Sequence, residues 1–148
     1  MSMCEIPVAI DDDETLVRAA KVPQHLDKKL QKLRPAAFRQ PPGRRDLSVM
    51  RHTYLGSDTC KAIAKEKFGE AYYGFGALTA KEIRKSPVEL RDETYCGHAD
   101  IRYGFVGTAG GQAAPQDFQM QYKRFSDAAR FYPDPDIAAD TWTGPEIQ

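Results

Sequence analysis

The sequence is poor in cysteine, with three residues at 4, 60 and 96. An odd number without a close pair argues against a disulfide framework, and reduced thiols are expected. No apolar run approaches the roughly 20 residues of a membrane span. The opening residues, MSMCEIPVAIDDDE, lack the basic segment and long apolar stretch of a secretory signal. These absences place the protein in the cytoplasm, with no membrane partner. Net charge is also absent, since 21 Lys and Arg balance 21 Asp and Glu. By charge alone this disfavours a dedicated nucleic-acid binder. There is no internal repeat and no second-domain pattern. A chain of 148 residues is one domain's length, and it buries enough surface to fold without a staple.

The charge that is present is unevenly spread. From Arg18 to Arg51 there are ten Lys or Arg against Asp27 and Asp46, a net +8. Acids flank this segment at Asp11–Glu14, and again at Asp134, Asp136, Asp140 and Glu146. Such a segment is either a solvated face neutralised by the acidic ends or a docking surface for an acidic protein or a phosphate-bearing ligand.

Periodicity gives the elements. Ile6, Val8 and Ile10 alternate as a short edge strand, which Pro7 tolerates. Asp11–Glu14 suit a helix N-terminus, followed by an apolar stripe of Leu16, Val17 and Ala20. Leu26, Leu30 and Leu33 have the spacing of a second helical face. Residues 34–45, RPAAFRQPPGRR, form a Pro-rich connector, so residues 1–46 are expected as a helical, basic arm. A strand is predicted near 47–52 and a helix near 57–68, with Cys60, Ile63, Ala64 and Phe68 inward and Lys61, Lys65 and Lys67 outward. Gly69 stops that helix. A second strand covers 72–78, where Gly74 and Gly76 clear one face for a close neighbour. Thr79 and Glu82 have capping-box spacing. The third strand lies near 95–103, and a helix near 115–132 carries Phe118, Tyr122, Phe125, Ala129 and Tyr132. Residues 133–148 read as an irregular acidic tail pinned by Trp142. The whole is a single α+β domain of two layers, a small, mainly antiparallel or mixed sheet packed by helices on one face.

Three groups of residues can carry chemistry. Cys96, His98, Asp100 and Arg102 share a strand face, and Arg51 and His52 end another strand. In that arrangement His52 and His98 are acid–base candidates, with Arg51, Arg102 and Asp100 as phosphate or ligand contacts. Arg51-His52-Thr53 resembles one half of the paired His-x-Thr/Ser strands of two-histidine phosphoesterases. The other half, His98-Ala99-Asp100, departs from that pattern, with Asp100 where a hydroxyl belongs. Cys60, Cys96, His52 and His98 include zinc-ligand types, but without a second close pair they read as inert thiols and no metal or cofactor is expected. The glycine-rich run 104–111 lacks the P-loop and Rossmann spacings and reads as a surface loop.

The leading expectation is therefore a non-enzymatic protein-binding module, an accessory or inhibitor-like subunit. Its partner contacts are Arg39, Arg44, Arg45 and Phe38, with another protein as the partner. The alternatives are a small phosphoester- or nucleotide-acting enzyme, and an RNA-binding domain. The RNA reading uses Tyr72, Tyr73 and Phe75 as a stacking strand, and nucleic acid is the less favoured partner.

Overall fold

A computed structural model describes residues 5–91, 96–109 and 114–148. The chain runs through β1 (Thr15–Lys21), a small hairpin of β2 (Leu26–Asp27) and β3 (Lys32–Leu33), and a short 3-10 turn at Pro35–Phe38. Next come β4 (Asp46–Arg51), α1 (His52–Phe68), β5 (Tyr72–Thr79), α2 (Ala80–Arg84), β6 (Val88–Arg91) and β7 (His98–Tyr103). The chain closes with α3 (Gln116–Ala128) and β8 (Arg130–Pro133). Six strands form one antiparallel sheet in the order β6-β7-β4-β1-β5-β8, and β2 pairs only with β3. The fold is a single α+β domain.

Both sheet faces carry a core, where the sequence suggested helices on one. Successive strand residues point to opposite sides, and β1 shows the division. Leu16 and Ala20 pack with Leu47, Val49, Leu78, Ile101 and with Tyr122 and Phe125 of α3. Val17 and Ala19 pack with Phe75, Ala77 and with Cys60 and Ala64 of α1. Phe38, expected as a partner contact, is fully buried in the first core, its ring 5.9 Å from that of Phe125.

This double burial explains where sequence periodicity misleads. Leu16, Val17 and Ala20 are not a helical stripe; they belong to a central strand, β1, buried on both faces. A continuous apolar run of that kind has no two-residue period. Leu26 and Leu33 are not on a helix either. They face each other across the β2–β3 hairpin and are buried, while Leu30 at the turn is 63% exposed. The expected edge strand at residues 6–10 is irregular backbone. The last long helix stops at Ala128, and Phe131 and Tyr132 lie on edge strand β8, which pairs with β5. Strand β6 had no counterpart in the sequence reading.

Several local expectations are met. Gly69 ends α1 at φ 55°, and α1 breaks at Gly56 (φ 79°), so its long turn-forming part starts near Ser57. Thr79 and Glu82 form a capping box. Trp142 pins the irregular tail: its ring lies 5.7 Å from Phe75, and its backbone N–H donates to Asp58. Lys61 departs from the outward position expected of it. It is fully buried, 2.9 Å from the Asp134 carboxylate, and its Nζ donates to the tail carbonyls of Asp136 and Thr141. Tyr72 donates to the same carboxylate at 2.7 Å. Cys96 is disulfide-bonded, which corrects the expectation of a reduced thiol there, while Cys60 is free. Cys4 lies outside the described residues.

The two glycines of β5 serve packing. A Cβ on Gly76 would lie 2.3 Å from a Leu33 methyl, and one on Gly74 would lie 2.2 Å from the Tyr132 carbonyl oxygen and 2.9 Å from Pro133 Cα. Gly74 therefore sets how closely β8 approaches β5. Gly74→Ala is expected to lower stability by about 1–3 kcal/mol, the usual penalty for overpacking. Urea unfolding should show a lower midpoint at unchanged slope; an unchanged midpoint would contradict the assigned β5–β8 packing.

Candidate anion-binding site

Strands β1 and β4 share only two residue pairs, Leu16↔Arg51 and Val17↔Met50. Beyond Val17 they part, and Arg18 occupies the fork. Its Nε donates to the Ala37 carbonyl at 2.9 Å and its Nη1 to the Ser48 carbonyl at 3.2 Å. The guanidinium thus replaces ladder hydrogen bonds that the parted strands cannot make. Burial pushes its pKa down to about 10.

A cleft of about 550 Å³ opens beside the fork, lined among others by Arg18, Lys21, Arg39, Lys67, His25 and Thr108. Among the described residues no Asp or Glu lines it. Four cations share one concavity of the size usual for ligand sites. The Nζ atoms of Lys21 and Lys67 each lie 5.5 Å from the centroid of the Phe68 ring. This ring attracts both ammonium groups and offsets part of their mutual repulsion. Desolvation, together with Arg18 and Lys21, still lowers the Lys67 pKa. Arg39 crosses the cleft wall to the hydroxyl of Thr108.

A smaller cleft of about 220 Å³ shares Arg18 and Lys67 and adds Arg44, Ser48, His98, Asp46 and Asp100. Its acids have basic partners: His98 Nε2 is 2.9 Å from Asp100, and Arg102 is 3.5 Å from Asp46. The acid-free character therefore belongs to the larger cleft.

The residues singled out from the sequence scatter. His98, Asp100 and Arg44 line the smaller cleft. His52 does not line the clefts that hold His98; its Nε2 contacts Ser57 Oγ at 2.8 Å, and burial lowers its pKa against the opposing pull of Glu146. The two histidines therefore do not form one acid–base pair in a shared cleft. Arg51 is no ligand contact. It is buried, donates from Nε and Nη2 to Glu14 at 2.7 and 2.8 Å, and also donates to the carbonyls of Pro7 and Ala9. Arg102 lies 3.5 Å from Asp46 in a half-exposed ion pair. Arg44 and Arg45 are exposed and half-buried Arg39 is in the large cleft, so these three remain placed for contact.

The other chemistries lose their residues. Cys60 is buried and its thiol is pushed up to about 12 by burial, while Cys96 is in a disulfide, so neither thiol suits a zinc site. Among the described residues no group of three or more His, Cys, Asp or Glu is placed to hold a metal ion. Tyr72 and Phe75 are fully buried and Tyr73 stacks on Phe131, so β5 offers no row of aromatics for RNA bases. Within 104–109, Gly107 donates to Arg44 O and accepts from Gly43 N–H, which ties the glycine-rich run to the connector. Residues 110 and 111 of that run lie outside the described residues.

Lys21 and Lys67 were the residues that sequence reasoning missed here. Lys21 was counted only within the basic segment, and Lys67 only as an outward helix residue. The available signal was Arg18 interrupting the apolar run Leu16–Ala20, because a charge inside a central strand needs a special environment.

His25 reports on this environment. It is buried, takes the Lys21 backbone N–H on Nδ1 at 3.3 Å, and meets Phe68 edge-on. Desolvation, then the charges of Arg18, Lys21 and Lys67, push its pKa down to about 4. The unfolded chain protonates this histidine near its ordinary 6.5. Stability from the neutral His25 is therefore complete above pH 6.5 and is lost as pH falls from there to about 4. The loss is on the order of 3 kcal/mol. Denaturation midpoints across that range should fall for the native sequence and flatten for His25→Gln. Identical profiles would contradict the assignment.

No family model, no curated protein and no solved structure matches the chain. No helix among the described residues is long and apolar enough to cross a membrane.

Proposed function

We propose that this protein is a non-enzymatic binding module that docks an acidic segment of a partner protein on its basic face. One observation carries the reading: Arg18, Lys21 and Lys67 line one cleft, and no carboxylate among the described residues lines it with them. Exposed Arg34, Arg44 and Arg45 extend the positive surface along the connector. A positively charged face steers and holds an acidic chain, and it discriminates against basic partners. The separation of His52 from the clefts of His98 weighs against the phosphoester enzyme that pairs them. The expected setting is the cytoplasm; the disulfide at Cys96 is the observation against it, since cytosolic thiols are kept reduced.

The test is capture of partners from native cells by the tagged protein, with nuclease treatment in parallel. A stoichiometric protein that resists nuclease and dissociates as salt rises is expected. Reversing two exposed charges, Arg44→Glu with Arg45→Glu, should reduce its recovery at least tenfold while leaving the fold intact by circular dichroism. Equal recovery by the reversed variant, or loss of the partner with nuclease, would contradict the proposal.

A further inference from the structure

We infer that the outer edge of β6 pairs with the same edge of a second copy of this chain, antiparallel about a two-fold axis at Leu90. The inference is independent of the docking reading. The sheet has two edge strands, β6 and β8. β8 is guarded: Pro133 has no N–H to offer, and Gln148 lies beside the strand, donating to the Tyr132 hydroxyl and accepting from Arg130 Nε. β6 carries no proline, and among the described residues it pairs with β7 alone. An open edge of this kind templates another strand unless its charges repel one.

The charges on β6 attract a second copy. Leu47, Val49, Ala99, Ile101 and Leu90 belong to the core shared with α3. The alternate residues of β4, β7 and β6 therefore lie on the opposite face. Strand register sets them in two rows, Asp46–Arg102–Glu89 and Ser48–Asp100–Arg91. Neighbouring charges along each row are opposite in sign, the favourable arrangement for cross-strand pairs. At the sheet edge one row ends on an acid and the other on a base. Glu89 and Arg91 contact each other only loosely, at 3.8 Å, with Glu89 66% exposed. A copy centred on Leu90 sets its Arg91 opposite Glu89 and its Glu89 opposite Arg91. Each row then continues with alternating sign into the second copy, and Leu90 meets Leu90 on the core side. Sliding the copy by two residues either way sets Glu89 against Glu89 or Arg91 against Arg91, so charge selects one register. The two-fold contact is closed and stops at two chains. Its strand contact is short, which puts it in the class of weak associations.

The experiment is sedimentation of the full chain over a micromolar to millimolar concentration series at low salt. A monomer–dimer equilibrium is expected. Glu89→Arg and Arg91→Glu each set like charges opposite one another twice, and each should weaken the dimer by about tenfold or more. Mixing the two variants in equal amounts should restore association, because every cross-strand pair in the mixed dimer is again of opposite sign. Hydrogen exchange on the native chain needs no substitution: the amides of Glu89–Arg91 should exchange more slowly as the dimer fills. A monomer at every concentration would overturn the inference. So would a dimer that both reversals leave unchanged, one that mixing fails to restore, or one that forms without slowing exchange in β6.

Discussion

The buried ion pair between Arg51 and Glu14 fixes the geometry on which the rest depends. Glu14 immediately precedes β1, and Arg51 ends β4. Their side chains meet at 2.7 Å at 1% and 2% exposure. Two desolvated charges are tolerated only when each satisfies the other, and removing one partner typically costs about 3–5 kcal/mol. The pair therefore clamps the two strands together where Leu16 faces Arg51. At the other end they are joined by a side chain, without ladder pairing. Two residues later the strands have parted, and Arg18 spans the gap by bonding to the Ala37 and Ser48 carbonyls. One arginine closes the strand pair; the other holds it open.

That opening gives a small domain its concave surface. The 3-10 turn at Pro35–Phe38 is anchored by Phe38 in the α3-side core, and the connector behind it is tied to Gly107. The end of α1 brings Lys67 and Phe68 to the same place, and β1 brings Arg18 and Lys21. Three separate parts of the chain thus supply cations to one cleft. Nothing in folding favours gathering like charges, and their desolvation makes it costlier. The Phe68 ring and the peptide carbonyls around Arg18 offset the cost without cancelling the charge. A cleft that gathers cations is suited to an anion, which is the physical basis for the binding role proposed for it.

The sequence revealed the fold class, and it revealed the half of the chain where local rules act alone. β4, the main part of α1, β5, the capping box at Thr79 and the stripe of α3 were legible because each has one buried face or a specific cap. β1 was illegible because both its faces are buried, which removes the alternation that marks a strand. The β2–β3 hairpin imitated a helix because Leu26 and Leu33 happen to lie seven apart. Lys61 looked solvent-facing because its partner, Asp134, is far along the chain and only the folded tail brings it close. The cleft was hidden for the same reason: Arg18, Arg39 and Lys67 are distant in sequence, and the basic segment that suggested a docking face pointed first to its exposed arginines. His52 and His98 drew attention as residue types, but chain geometry gave them different neighbours.

The most direct test of the cationic cleft is the titration of Lys67, followed at its ε-carbon by NMR. The account predicts an ammonium pKa below the ordinary value of 10.5, rising when Lys21 is replaced by Gln, because desolvation and the neighbouring cations disfavour the charged form. A Lys67 that titrates at or above 10.5 would mean that a carboxylate or solvent compensates the cluster, and the cleft would lose its claim to an anion.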